Sequence, residues 1–114
     1  MTHASRYLPS EKSTVYEVHR KLYPRAYRDL DEIYSYISVN LTEQGTAKKM
    51  IAALENAIFS LEQFPKRGSV RRIGVYANQD YRQLFIKKYT VIYRVYDKKQ
   101  EVHIVTVRYA PSRF

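Results

Sequence analysis

One change of hydrophobic period governs what this chain can become. Between Pro24 and Phe64 the apolar residues recur every three or four positions; beyond Pro65 they alternate one by one. A period near 3.6 followed by a period of 2 calls for helices first and strands afterwards, and each layer must bury its apolar side on the other. Leu30, Ile33, Tyr34, Ile37 and Leu41 form the first stripe, and Pro24 suits the first turn of a helix because its missing N–H costs nothing there. This predicts a helix over Pro24–Leu41. Thr42 can cap the next helix, whose stripe runs through Ala47, Met50, Ile51, Leu54, Ile58 and Leu61 until Phe64 and Pro65 end it.

Lys66, Arg67, Gly68 and Ser69 read as a turn, after which Val, Ile, Tyr and Phe dominate. Strands are expected near Arg72–Tyr76, separate from or merged with Tyr81–Ile86, then over Tyr89–Tyr96 and Glu101–Tyr109, with Asp97, Lys98, Lys99 and Gln100 as the last hairpin turn. A brief strand is expected from Val15, where Tyr16 and Val18 share one side and Glu17 and His19 the other. The fold class is therefore α+β, ordered β-α-α-β-β-β, a helical hairpin packed on a small, mainly antiparallel sheet.

At 114 residues the chain fits one domain. Residues 1–14 include Pro9 and show no period, so they read as an N-terminal extension, a tail or poorly ordered lead-in, ahead of a domain over residues 15–114. The absence of cysteine excludes disulfides, thiolate zinc sites and a cysteine nucleophile. No stretch has the apolar core of a signal peptide or the roughly 18 apolar residues of a membrane span, so a cytoplasmic protein without a membrane partner is expected.

Charge divides the chain as sharply as period does. Residues 1–65 carry eight basic and eight acidic side chains, whereas residues 66–114 carry twelve basic against three acidic, which accounts for the formal +9. A neutral half joined to a cationic half implies a scaffold presenting a surface to a polyanion. Tyr81-Arg82, Lys87-Lys88-Tyr89, Tyr93-Arg94 and Arg108-Tyr109 with Arg113 mix cations with aromatic rings, a combination suited to phosphate and base contacts. The competing reading is packing: Tyr89, Val91, Tyr93 and Val95 share one face, expected to pack against the helices, with Thr90, Ile92, Arg94 and Tyr96 opposite. If Asp97 pairs with Gln100, Arg108 lies opposite Tyr89; a slip by one residue puts it opposite Thr90. The sequence leaves open whether Arg94 and Arg108 share a face.

Other chemistry is sparse. Asp29, Asp31 and Glu32 stand near a helix N-terminus, where acids complement the dipole, and no metal site is assigned to them. His3, His19 and His103 lack paired ligand spacing and read as structural or exposed. Gly45, Gly68 and Gly74 are isolated, so no phosphate-binding loop is present, and no cofactor is expected.

Several segments together resemble the RelE/ParE superfamily of bacterial toxins from type II toxin-antitoxin systems. They are Arg28-Asp29-Leu30-Asp31-Glu32-Ile33 with Tyr36-Ile37, Ala57-Ile58 to Leu61 with Phe64-Pro65 and Gly68, Tyr81-Arg82, Tyr89 to Val95, and Val107-Arg108-Tyr109. The match runs from about Val15 to Arg113. It implies a cognate antitoxin partner, growth arrest when the toxin is free, a role in plasmid stabilisation, and a target that is either DNA gyrase, as for ParE-like members, or messenger RNA on the ribosome, as for RelE-like members.

In the RelE-like pattern an arginine follows the first tyrosine of the third strand, and a basic or histidine group lies just past the last strand. This chain has Thr90 and Ala110 there, which can neither offset phosphorane charge nor move a proton. ParE-like action on gyrase is the preferred expectation. If the chain is an enzyme, it is a metal-independent endoribonuclease with Arg82, Arg94, Arg108, Tyr109 and Arg113 as candidate groups. Arg82, Lys87, Lys88, Arg94, Arg108 and Arg113 are the expected target- or antitoxin-binding residues, with an acidic antitoxin segment lying over the basic strands. A nontoxic nucleic-acid-binding module remains the third reading; neutralising about five phosphates would give a log-log salt slope of about −4.

Overall fold

The alternating half of the chain supplies a sheet and the helical half covers one side of it. A computed structural model describes residues 18–40, 44–111 and 114. The elements are β1 (His19–Leu22), α1 (Pro24–Ser35), α2 (Gln44–Ser60), β2 (Ser69–Val70), β3 (Tyr81–Ile86), β4 (Tyr89–Tyr96) and β5 (Glu101–Tyr109). The sheet runs in the order β1-β5-β4-β3-β2, and only the β1 and β5 pair is parallel. This is the expected α+β architecture with one short strand added.

Three boundaries differ from the sequence reading. Among the described residues the first strand covers His19–Leu22 and leaves out Val18; residues 15–17, like residues 1–14, lie outside the described residues. Pairing fixes its place, since the His19 N–H donates to the Gln100 carbonyl at 2.9 Å. Regular helix in α1 stops at Ser35, followed by a wider turn over Tyr36–Asn40, where the Ser38 hydroxyl donates to the Ser35 carbonyl and competes with the main-chain ladder. Leu41 and Thr42 lie outside the described residues. The strand expected at Arg72–Tyr76 is a loop with a 3₁₀ turn over Gly74–Tyr76, because Gly74, Asn78 and Asp80 take positive φ (76°, 59° and 65°) that no strand accommodates.

The core lies between the helices and the sheet. Leu30, Ile33 and Ile37 of the first stripe, joined by Ala26, and Ala47, Met50, Leu54 and Ile58 of the second meet Val91, Tyr93, Val102, Ile104 and Val107. On the same side, Arg20 of β1 reaches Glu62 just beyond α2 (2.7 Å) and lies over the Phe59 ring, tying the edge strand to the helical hairpin. Between β4 and β5 the register holds from Tyr96↔Glu101 to Tyr93↔Ile104, then slips by one residue, so that Ile92 faces Thr106 and Thr90 faces Arg108. Val105 is the extra residue of this bulge.

Tyr93 is fully buried, and its hydroxyl accepts the Gly68 N–H at 3.0 Å. Gly68 must approach that closely: a Cβ there would run into the Gln83 carbonyl and lie 2.8 Å from the Tyr93 hydroxyl. Gly45, near the start of α2, has nothing within 4 Å of a Cβ. We therefore expect Gly68→Ala to destabilise the protein by about 1–3 kcal/mol. Gly45→Ala should be neutral or stabilise by up to about 1 kcal/mol. Urea unfolding midpoints of the two variants check this; equal midpoints would contradict the close approach.

Candidate functional site

Strand alternation gives the sheet a second, helix-free face. Registers place Tyr81, Arg94, His103 and Lys21 in one cross-strand row on it, one residue from each of β3, β4, β5 and β1. The Arg94 guanidinium lies over the rings of Tyr81 (5.0 Å) and Tyr96 (5.4 Å). His103 links Tyr23 to Glu101: the Tyr23 hydroxyl meets Nδ1 at 3.0 Å, and Nε2 meets the Glu101 carboxylate at 2.9 Å. Burial first, then the neighbouring Tyr96, pushes the Tyr23 phenol above its ordinary value, while the hydrogen bond from His103 is the largest cause holding the Glu101 carboxyl below its own. In a neutral ring both contacts are satisfied by the Nε2–H tautomer, with the Tyr23 hydroxyl donating to Nδ1 and the Glu101 carboxylate accepting from Nε2. Lys21 completes the cluster, 3.3 Å from Glu101.

Farther along the same face, Arg71 is buried, and burial lowers its guanidinium from its ordinary value. It donates to the Ile73 and Phe114 carbonyls and to the Gln83 amide oxygen. Arg71 and Arg108 both lie over the Phe114 ring, at 4.3 and 5.4 Å. Arg108 also donates to the Thr106 hydroxyl, which is in turn bonded to the Asp29 carboxylate. Asp29 takes the Val107 N–H as well, at 3.0 Å. It sits beyond the first turn of α1, so its partners are the edge groups of β5 rather than the helix dipole.

On the helix side, where α1 and α2 meet the Tyr89 end of the sheet, lies a groove of about 730 Å³. Ile33, Ile37, Met50 and Val107 line it, and Tyr89 and Tyr109 meet edge-on at 5.9 Å. Lys87 and Lys88, both exposed, stand at its rim. Burial, then Tyr109 and Tyr36, raises the Tyr89 phenol.

The candidate residues read from the sequence thus fall into three places. Arg94 and Arg108 share the helix-free face. Lys87, Lys88 and Tyr109 belong to the groove. Arg82 is on the helix side, where its Nη2 donates to the Lys66 (3.1 Å) and Gly68 (2.7 Å) carbonyls and holds the loop after α2. Arg113 lies outside the described residues. Lys21, Tyr23 and the His103–Glu101 pair were missed because they are distant in sequence; the alternation of Glu101, His103 and Val105 was the one available signal. Among the described residues no group of three or more His, Cys, Asp or Glu could hold a metal, and no helix is long and apolar enough to cross a membrane.

Residues 21–111 match the family model of the ParE toxin of the type II toxin-antitoxin system parDE. The chain belongs to the ParE toxin family. Its fold is similar to a solved structure of the chromosomal ParDE toxin-antitoxin system from P. aeruginosa, with a TM-score of 0.68 and 23% identity over 82% of this chain and 97% of that one. It is also similar to the toxin-antitoxin complex RelBE2 from Mycobacterium tuberculosis, with a TM-score of 0.61 and 21% identity over 82% and 98% of the two chains. No curated protein sequence matches it. The chain is a toxin of the RelE/ParE superfamily, and its two helices on a five-stranded sheet are that superfamily's fold.

A carboxyl held below its ordinary value stabilises the fold above the unfolded carboxylate range and loses that contribution as pH falls through the lowered value. The acid limb of the stability-pH profile of the toxin should therefore be steeper than that of Glu101→Gln, read as urea midpoints from pH 6 down to pH 3. Superimposable limbs would remove Glu101 from the account.

Proposed function

We propose that this toxin arrests growth by acting on DNA gyrase, and that a cognate antitoxin silences it. The observation that carries this reading is what stands at the RelE-like nuclease positions. Thr90 is buried (1% exposed) between β3 and β5, and the Ala110 N–H donates to the Lys88 carbonyl at 2.7 Å. Neither side chain can take up or release a proton, so general acid-base cleavage of RNA lacks its groups there. Membership of the ParE toxin family supports the same target. Purified toxin added to gyrase and supercoiled plasmid should inhibit supercoiling or trap cleavage complexes. Unperturbed supercoiling at excess toxin would overturn the reading.

A second reading, ribosome-dependent cleavage of messenger RNA, is favoured by the placement of Arg94 and Arg108 on one face. Primer extension on messenger RNA in a translating extract decides it, new cuts in the ribosomal A site being the required result.

For the antitoxin we favour the groove, whose apolar floor offers burial that the basic strands do not, and Arg82 of those strands is committed to the loop carbonyls. An apolar floor with lysines at the rim suits an amphipathic segment with acidic flanks. Replacing Lys87 and Lys88 together by Glu should weaken the toxin-antitoxin complex by about tenfold or more, whereas Arg94→Glu should change it less than threefold. The reverse ranking, measured by titration calorimetry, would return the antitoxin to the helix-free face.

A further inference from the structure

The row on the helix-free face is set apart from the groove. Arg94 and Tyr89 are five residues apart along β4, about 17 Å at the usual rise of a strand, and point to opposite faces. Among the described residues no carboxylate pairs with Arg94 and no acceptor takes its N–H groups; two tyrosine rings hold it instead. A guanidinium fixed in place with its donors unspent is a preformed fork for a phosphate. Next to it, His103 carries a hydrogen bond on each nitrogen, and Lys21 stands in register beyond. Tyr23 is 37% exposed and meets His103 edge-on, at 5.5 Å and 62° between ring planes, which leaves ring surface open to a stacking partner.

We propose that Arg94, with Lys21 in the same row, binds the phosphate of a nucleotide whose base stacks on Tyr23, a ring that His103 holds in place. The charge arithmetic favours an anion. Glu101 is the acid in the cluster, and it is offset by Lys21 at 3.3 Å, leaving Arg94 in surplus. Asp97, in the adjacent turn, pairs with Lys66 at 3.5 Å, and Lys99 of the same turn lies over the Tyr96 ring at 5.9 Å. Arg94 supplies the bidentate contact and the unpaired charge, Lys21 a further N–H donor in the same row, and His103 fixes the Tyr23 ring through its hydroxyl. The site goes beyond the gyrase reading and does not depend on it, since a nucleotide can bind here whether or not gyrase is inhibited.

The whole toxin is titrated with a fluorescent single-stranded oligo(dA) of twelve residues by anisotropy, and with AMP and with inorganic phosphate by two-dimensional NMR. Arg94→Ala should weaken oligo(dA) binding about tenfold and lower the log-log salt slope by about 0.7, the value for one phosphate on a single strand. Tyr23→Leu should weaken it by about fivefold or more, the range of one lost base stack, while leaving binding of inorganic phosphate unchanged. Tyr23→Phe keeps the ring and should cost less than twofold. Shifts at Arg94 and Tyr23 with AMP identify a free nucleotide as sufficient; shifts with oligo(dA) alone identify a strand, and either result supports the site. Shifts with neither ligand, or an unchanged salt slope in Arg94→Ala, overturn it. So does an equal loss of oligo(dA) binding when Lys87 and Lys88 are both changed to Ala.

Discussion

The Asp29 carboxylate is the tie on which the rest of the arrangement depends. β1 covers the edge of β5 only as far as Ile104, and the next residues would otherwise present bare donors. Asp29 takes the Val107 N–H and the Thr106 hydroxyl there, the two residues that follow the bulged Val105. Hydrogen bonds to a charged group contribute about 1.5–3 kcal/mol each, and a buried carboxylate needs them. The same contact therefore anchors α1 to the sheet and holds the one-residue slip. Without the slip Arg108 would lie opposite Tyr89 and face the helices; with it, Arg108 joins Arg94 on the far face.

Two surfaces follow from that register. The helix side ends in an apolar groove with lysines at its rim, and the helix-free side carries arginines among tyrosines. Surfaces on opposite faces let two different contacts be built separately. Arg82 shows why charge alone misleads here. Its Nη2 holds the loop that brings Gly68 onto Tyr93, so it is part of the scaffold although it stands in the cationic half of the chain.

Much of the fold was legible because it rests on local pattern. β4 and β5 span Tyr89–Tyr96 and Glu101–Tyr109, as period-2 alternation required, and Leu30 and Ile33 of the first stripe and Ala47, Met50, Leu54 and Ile58 of the second are buried on α1 and α2. The reading failed where nonlocal contacts decide. Arg72–Tyr76 has strand-forming residues, yet Arg71 turns inward to Gln83 and Phe114, and Gly74 at positive φ approaches the Phe114 carbonyl. The site was half legible for the same reason. Composition pointed to basic and aromatic residues after Pro65, but the partners of His103 come from Tyr23, eighty positions earlier. A bulge leaves no trace in composition, so whether Arg94 and Arg108 shared a face could not be read before the pairing was known.

How each cation is held separates structural from available charge. Arg20 meets Glu62 and Lys66 meets Asp97, pairs whose field is largely cancelled at short range. Arg71 is consumed by two carbonyls and an amide. Arg94 is instead positioned by the rings of Tyr81 and Tyr96, while Arg108 lies over the Phe114 ring and also gives its Nε–H to the Thr106 hydroxyl. A cation-π contact orients a guanidinium without neutralising it and leaves its in-plane N–H groups free to bond. An acid in the same place would fix the side chain equally well but remove the charge that an incoming anion needs. The choice of tyrosine over carboxylate around Arg94 is thus the physical reason to regard the helix-free face as a binding surface rather than as a solvated exterior.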